Sequence, residues 1–150
     1  MEISVAIRLD NNGLLRKECP FCEREFKIFY DQLAEETRDK FYCPHCGLPA
    51  PFNTQYTKDQ VQFIMDLTKN HVIDELNKSF GKMKKRSSNS TLKINYKPMK
   101  KTDPRTQIEL NDMEEIITSC CKETIFLESP ATWKAIYCHK CGDINFPEKL

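Results

Sequence analysis

The residues best suited to chemistry in this chain are cysteines, and they come in two clusters. Cys19 and Cys22 form one C-x2-C pair, and Cys43 and Cys46 form another, twenty residues further on. Two cysteines separated by two residues reach one ion from a single tight turn, whose backbone N–H groups point at the sulfurs and help neutralise the thiolates. Two such pairs supply the soft donors of a tetrahedral Zn²⁺, with sulfurs at about 2.3 Å. Pro20 and Pro44 pre-set φ inside the turns. The chain has only four glycines, and Gly47 and Gly142 each directly follow a C-x2-C pair, where a permissive backbone is needed.

Cys120, Cys121, Cys138 and Cys141 form the second cluster. Its later half repeats the regular spacing. Its earlier half does not: a regular turn ending at Cys121 needs a ligand at 118, which is Thr118. A four-cysteine site using both adjacent thiols is favoured, with three cysteines plus His139 or an external ligand as the alternative. Two Zn²⁺ per chain are therefore expected. Iron on four thiolates is the chemical alternative. A redox role for Cys19 and Cys22 needs a βαβ context that the flanking sequence lacks. His45 is expected at the surface and not as a ligand.

Cys19-Pro20-Phe21-Cys22 and Phe41-Tyr42-Cys43-Pro44-His45-Cys46-Gly47 resemble the zinc-ribbon (rubredoxin-like) family over residues 14–52. The resemblance implies two metal knuckles, each on a β-hairpin, clamping one ion between them. It departs at Glu23, where ribbons often carry Gly. It names a scaffold and leaves function open.

A second kind of chemistry lies between the clusters. The net charge is +1, yet residues 77–101 hold nine Lys/Arg and no Asp/Glu. Residues 1–56, 57–76 and 102–150 are all net acidic. The tract comprises Lys78, Lys82, Lys84, Lys85, Arg86, Lys93, Lys97, Lys100 and Lys101, with Phe80 and Tyr96 among them. Cations with interspersed aromatics suit phosphate contacts and base stacking. The bland counterpart is a solvated helix end and linker, or a patch for an acidic protein.

These residues need elements to place them. Residues 3–9, 14–17, 26–30, 91–97, 124–127 and 133–137 are predicted strands, with a turn at Asn12-Gly13. Residues 31–40 are a polar excursion with room for one helical turn, and residues 108–118 are ambiguous. Residues 57–86 predict a long amphipathic helix, with Thr57 and Gln60 as a capping box and a bend near Gly81. Val61, Ile64, Met65, Thr68, Val72, Leu76, Phe80 and Met83 recur at helical spacing. They are expected to pack as core on the ribbons, with pairing to a second copy or another protein as the alternative. Residues 87–90, Ser-Ser-Asn-Ser, have linker chemistry, and no internal repeat is evident beyond the knuckle pattern.

The fold class expected is small α+β and metal-stabilised. An N-terminal ribbon (1–56), the helix (57–86), a basic linker with a short strand (87–107) and a ribbon-like unit (108–150) follow in order. Each end is too short to bury a large core, so metal must supplement it. No signal-peptide-like or membrane-spanning apolar run occurs, and a cytoplasmic location is expected. No nucleotide-binding, hydrolase or zinc-protease motif is present, so the chain is not expected to be an enzyme. The leading expectation is an accessory or regulatory zinc protein binding DNA or RNA. The next is a protein–protein adaptor, and the third a metal-dependent enzyme or redox protein.

Overall fold

The computed structural model describes residues 3–34, 39–87, 91–128 and 134–146. The chain divides into two compact units. One gathers Ile7–Lys58 with Ile108–Leu150. The other gathers Met1–Ala6 with Asp59–Gln107. Both cysteine clusters thus belong to a single unit.

In the cysteine-bearing unit, β1 (Leu14–Glu18) and β2 (Glu25–Phe29) form an antiparallel hairpin. β2 runs into one helical turn, α1 (Tyr30–Ala34). β3 (Lys40–Tyr42) pairs with β4 (Pro49–Pro51). Later in the chain β5 (Glu114–Ile117) pairs with β6 (Thr124–Leu127), and β7 (Ile136–Tyr137) with β8 (Ile144–Asn145). β2 and β6 then pair with each other, which joins two hairpins into one sheet of order β1-β2-β6-β5.

Strand alternation places the core. Phe26 and Ile28 of β2, Ile125 and Leu127 of β6, Ile116 and Ile136 share one buried cluster, flanked by Leu33. Six such side chains contribute roughly 1.5–3 kcal/mol each, which is a thin core for two sets of hairpins. Residues of β1 and β2 between the core positions are equally covered. Lys27 is buried, its Nζ 3.1 Å from Asp10 Oδ2, and it also donates to the Leu110 carbonyl. Its cross-strand neighbour Arg16 pairs with Glu25 (2.7 Å), Glu109 (3.0 Å) and Asp112 (2.6 Å). Asp10 itself accepts from the Asn12 and Leu14 amides at 2.8 and 2.9 Å. Lys17, fully buried, has its Nζ 3.3 Å from the Phe52 ring centroid and donates to the Phe52 carbonyl; burial pushes its pKa down to about 7.

The other unit is built on α2 (Lys58–Ser87), about 45 Å long at 1.5 Å per residue. An extended segment returns antiparallel along it. Asn70 exchanges two hydrogen bonds with the Thr102 backbone at 2.6 and 2.9 Å, and Asn77 exchanges two with Met99 at 3.0 and 2.9 Å. Asn70 and Asn77 are spaced by seven residues, two turns, so both lie on the same side of the helix. Each Asn amide replaces the ladder partner that an extended backbone otherwise requires. Tyr96 stacks on Phe80 at 5.1 Å and donates to Asn77 Oδ1, while Lys101 pairs with Asp74 at 3.0 Å.

Several expectations are corrected here. Residues 3–9 and 91–97 are not strands; neither has a ladder partner, and the second is held to α2 by side chains, with the Ile94 amide donating to Ser87 Oγ and the Tyr96 hydroxyl to Asn77 Oδ1. The helix does not stop at Gly81 but continues to Ser87, because one glycine within a helix costs only about 1 kcal/mol. Val61, Met65, Val72, Leu76 and Met83 are exposed and so are not core; within α2 only Gln60 and Ile73 are buried. Residues 88–90 of the linker and Trp133 of the predicted strand 133–137 lie outside the described residues. No described helix is long and apolar enough to cross a membrane.

Candidate metal centres

The first centre is assembled from two hairpin ends. Cys19 directly follows β1, and the turn closes through the Cys19 amide donating to the Arg24 carbonyl (3.0 Å) and the Glu23 amide donating to the Cys19 carbonyl (2.9 Å). The β3–β4 hairpin closes the same way, from Cys43 to Leu48 (3.0 Å) and from Gly47 to Cys43 (2.9 Å). The Cys19–Cys46 and Cys22–Cys43 sulfurs are each 3.7 Å apart. Sulfurs about 2.3 Å from one central ion lie about 3.8 Å apart in a tetrahedron, so the cage fits Zn²⁺. The Phe21 and His45 amides point at the Cys19 and Cys43 sulfurs at 3.4 and 3.3 Å. Burial pushes the Cys43 thiol up against the pull of the Cys46 and His45 amides. A dication among the sulfurs resolves that conflict by deprotonating them. His45 is half-buried and stands outside the four sulfurs; its Nε2 lies 3.0 Å from the Glu25 carbonyl oxygen.

The second centre sits on the equivalent hairpins, β5–β6 and β7–β8. Its closing bonds match one for one: Thr118 to Glu123 (2.9 Å), Lys122 to Thr118 (3.0 Å), Cys138 to Asp143 (2.9 Å) and Gly142 to Cys138 (2.8 Å). Thr118 therefore occupies the position of Cys19, and Cys121 that of Cys22. Thr118 is fully buried, its hydroxyl accepting from the Glu123 amide (3.0 Å) and lying 3.8 Å from the Cys138 sulfur. The missing thiol is supplied one residue before Cys121. The Cys120 sulfur lies 3.5 Å from that of Cys141 and 3.5 Å from Asn145 Nδ2. Asn145 Oδ1 in turn accepts from the Ser119 amide and hydroxyl at 2.7 Å each, which fixes the irregular turn. Burial opposes the Cys120 thiolate more than any other single influence, but hydrogen bonds with Asn145, Cys141 and Cys138 together bring its pKa down to about 7. All four sulfurs lie within 4.8 Å of one another, as in the first centre. His139 stands outside this set and stacks on Phe41 at 6.2 Å.

The two centres are related by an approximate two-fold axis. Phe26 pairs with Leu127, Ile28 with Ile125, and Lys27 with Phe126 at the middle. The Tyr42 amide donates to the His139 carbonyl and the Tyr137 amide to the Pro44 carbonyl, both at 2.9 Å. A Cβ added at Gly47 would lie 2.7 Å from the Tyr137 ring, and one at Gly142 would lie 2.8 Å from Tyr42. Glu23 and Lys122 both adopt φ 56°, and Gly47 and Gly142 adopt 73° and 79°. The two cysteine-bearing units expected from the sequence thus form an internal structural repeat that extends beyond the knuckle pattern. The matched segments share little beyond Cys22/Cys121 and Tyr42-Cys43, Cys46-Gly47 against Tyr137-Cys138, Cys141-Gly142. Thr118, Asn145 and the two tyrosines are the residues that spacing alone did not identify. The tyrosine before each second knuckle was the available signal.

The basic residues all belong to the helical unit. Lys82, Lys84, Lys85 and Arg86 are exposed at the end of α2, and Lys93, Lys97, Lys100 and Lys101 are exposed on the returning segment. Lys78 pairs with Glu75 at 2.9 Å, and Tyr96 is half-buried against Phe80. Comparison with family models, curated proteins and solved structures finds no match for this chain.

Proposed function

We propose that this chain is a non-enzymatic zinc protein that binds DNA or RNA through the basic surface of its helical unit, as an accessory or regulatory subunit. The observation that carries the reading is the fold-back of the segment before Thr102. It sets Lys93, Lys97, Lys100 and Lys101 alongside the helix that bears Lys82, Lys84, Lys85 and Arg86. Cations from two separate stretches then act on one run of phosphates, and the exposed face of Phe80 offers a platform for a base. The two cysteine centres each hold one structural Zn²⁺ and stiffen the unit that carries them.

Binding is expected to fall steeply with salt, because each neutralised phosphate releases counterions. Charge reversal at Lys84, Lys85 and Arg86 together should weaken binding by at least about tenfold at low salt and flatten the salt slope. Fluorescence anisotropy with short single- and double-stranded DNA and RNA measures both. Absence of salt-sensitive binding to every probe, with one stoichiometric protein partner captured instead, would establish the adaptor reading in its place.

A further inference from the structure

We infer that Cys120 and Cys141 form an oxidisable pair, which a hydroperoxide converts to a disulfide with loss of the ion from the second centre, while the first centre stays reduced; this rests on the reading above that each centre holds Zn²⁺. The two centres differ in solvent access at a single sulfur. Cys43 and its counterpart Cys138 are both buried, and Cys22, Cys121, Cys46 and Cys141 are all half-buried. Cys19 is only 1% exposed, whereas Cys120 stands in the open. The closing bonds of the two turns explain the difference. With Thr118 in the place of Cys19, Cys120 falls in the place of Phe21, at the outer tip of the turn, where the Phe21 side chain is 59% exposed. The fourth thiol of the second cluster therefore enters from the solvent side. Oxidation of cysteine follows thiolate character and access together, and is favoured where a second thiol stands ready to resolve the product.

Cys141 is the resolving thiol. Its sulfur lies 3.5 Å from that of Cys120 in an exposed contact, whereas the 3.7 Å contacts of Cys19 with Cys46 and Cys22 with Cys43 are partly buried. An approach of about 1.5 Å brings the Cys120 and Cys141 sulfurs to bonding distance. Cys121 is a poorer partner, because a disulfide between adjacent residues strains the peptide that joins them. Cys138 is fully buried. The Cys120 thiolate attacks one peroxide oxygen, so that an S–O bond forms, the O–O bond breaks and the departing oxygen takes a proton from water. The Cys141 thiolate then attacks the Cys120 sulfur; the S–S bond forms, the S–O bond breaks and hydroxide leaves to be protonated. Two electrons pass from the two thiolates to the hydroperoxide. Cys121 and Cys138 remain, too few donors for a four-coordinate ion. Cys120 belongs to the turn between β5 and β6 and Cys141 to that between β7 and β8. The disulfide thus ties the same two hairpins that the ion bridges, and the ion leaves without freeing them.

The full-length chain, its ions counted by native mass spectrometry, is exposed to hydrogen peroxide. Released Zn²⁺ is followed with a chromophoric chelator against a peroxide-free control, and disulfides are mapped by peptide mass spectrometry after the free thiols are alkylated. One ion per chain should leave at least about tenfold faster than the other, in step with a Cys120–Cys141 disulfide. Dithiothreitol with added Zn²⁺ should restore the loaded form. Combining Thr118→Cys with Cys120→Ser moves the thiol to the buried position, and release of the second ion should then slow by at least about tenfold. The disulfide map of the parent is decisive whether or not that variant loads. Both ions leaving together, oxidation beginning at Cys19, Cys22, Cys43 or Cys46, or a Cys120–Cys121 disulfide would each overturn the inference. A freshly purified, reduced chain without any ion would overturn the metal reading itself, and the inference with it.

Discussion

Thr118 is the residue at which the two centres part company. A hydroxyl stands where the first centre has the Cys19 thiol, and it is used to close its own turn. The fourth sulfur of the cluster comes instead from Cys120, which Asn145 steadies. The second centre thus depends on a side-chain amide for an arrangement that the first obtains from backbone geometry alone, and partners around the ligands tune affinity by about 10–100-fold. Thr118→Cys should restore the regular turn. In that background Cys120→Ser is expected to leave affinity for the second ion within about tenfold of the parent, whereas Cys120→Ser alone should lower it by more than that. Competition with a chromophoric chelator measures both. Equal losses in the two backgrounds would show that the added thiol takes no part.

At the scale of the element, each half of a centre is a hairpin whose end places cysteine sulfurs where they could hold a metal ion. The first and second knuckles solve the left-handed position differently. Glu23 and Lys122 bear it in the open, and Glu23 pairs there with Lys58 at 3.2 Å. Gly47 and Gly142 bear it beneath a tyrosine ring from the opposite hairpin. Only the second case forbids a side chain on two grounds, backbone strain and lack of space. Gly47→Ala should therefore lower stability by about 2–4 kcal/mol, while Glu23→Gly should be neutral or slightly stabilising. Thermal and denaturant unfolding of the metal-loaded protein check the pair. A Gly47→Ala loss of only a few tenths would mean that Tyr137 moves aside freely.

At the scale of the whole molecule, two cysteine centres share one sheet. The β2–β6 ladder joins the two hairpin sets, and the core cluster around it draws residues from both. A structural Zn²⁺ supplies about 10–16 kcal/mol of apparent binding energy, as much as the whole of so thin a core provides. The two ions should therefore be coupled. Removing the first-centre ligands with Cys22→Ser and Cys46→Ser is expected to lower the thermal midpoint for release of the second ion. Strong chelation of the parent should abolish near-ultraviolet circular dichroism in one step. Unchanged dichroism after verified metal removal, or two independent steps, would contradict this coupling.

The two cysteine clusters, the long helix and the segregation of charge were legible in the sequence because each is a local property. A knuckle is set by two intervening residues and a turn, and a helix by a period of 3.6. The β1–β2 and β5–β6 hairpins were partly legible for the same reason. The joining of those hairpins was not, since it pairs Phe26 with Leu127 across most of the chain, and strand alternation marks a buried face without naming its partner. The hydroxyl at Thr118 and the amide of Asn145 gained their roles only once two distant turns met. Likewise the exposed side of α2 became identifiable only after the Asn70 and Asn77 clips had settled which side the returning chain covers. Periodicity places apolar residues on a common face, and tertiary contact alone decides whether that face ends in the core or in solvent.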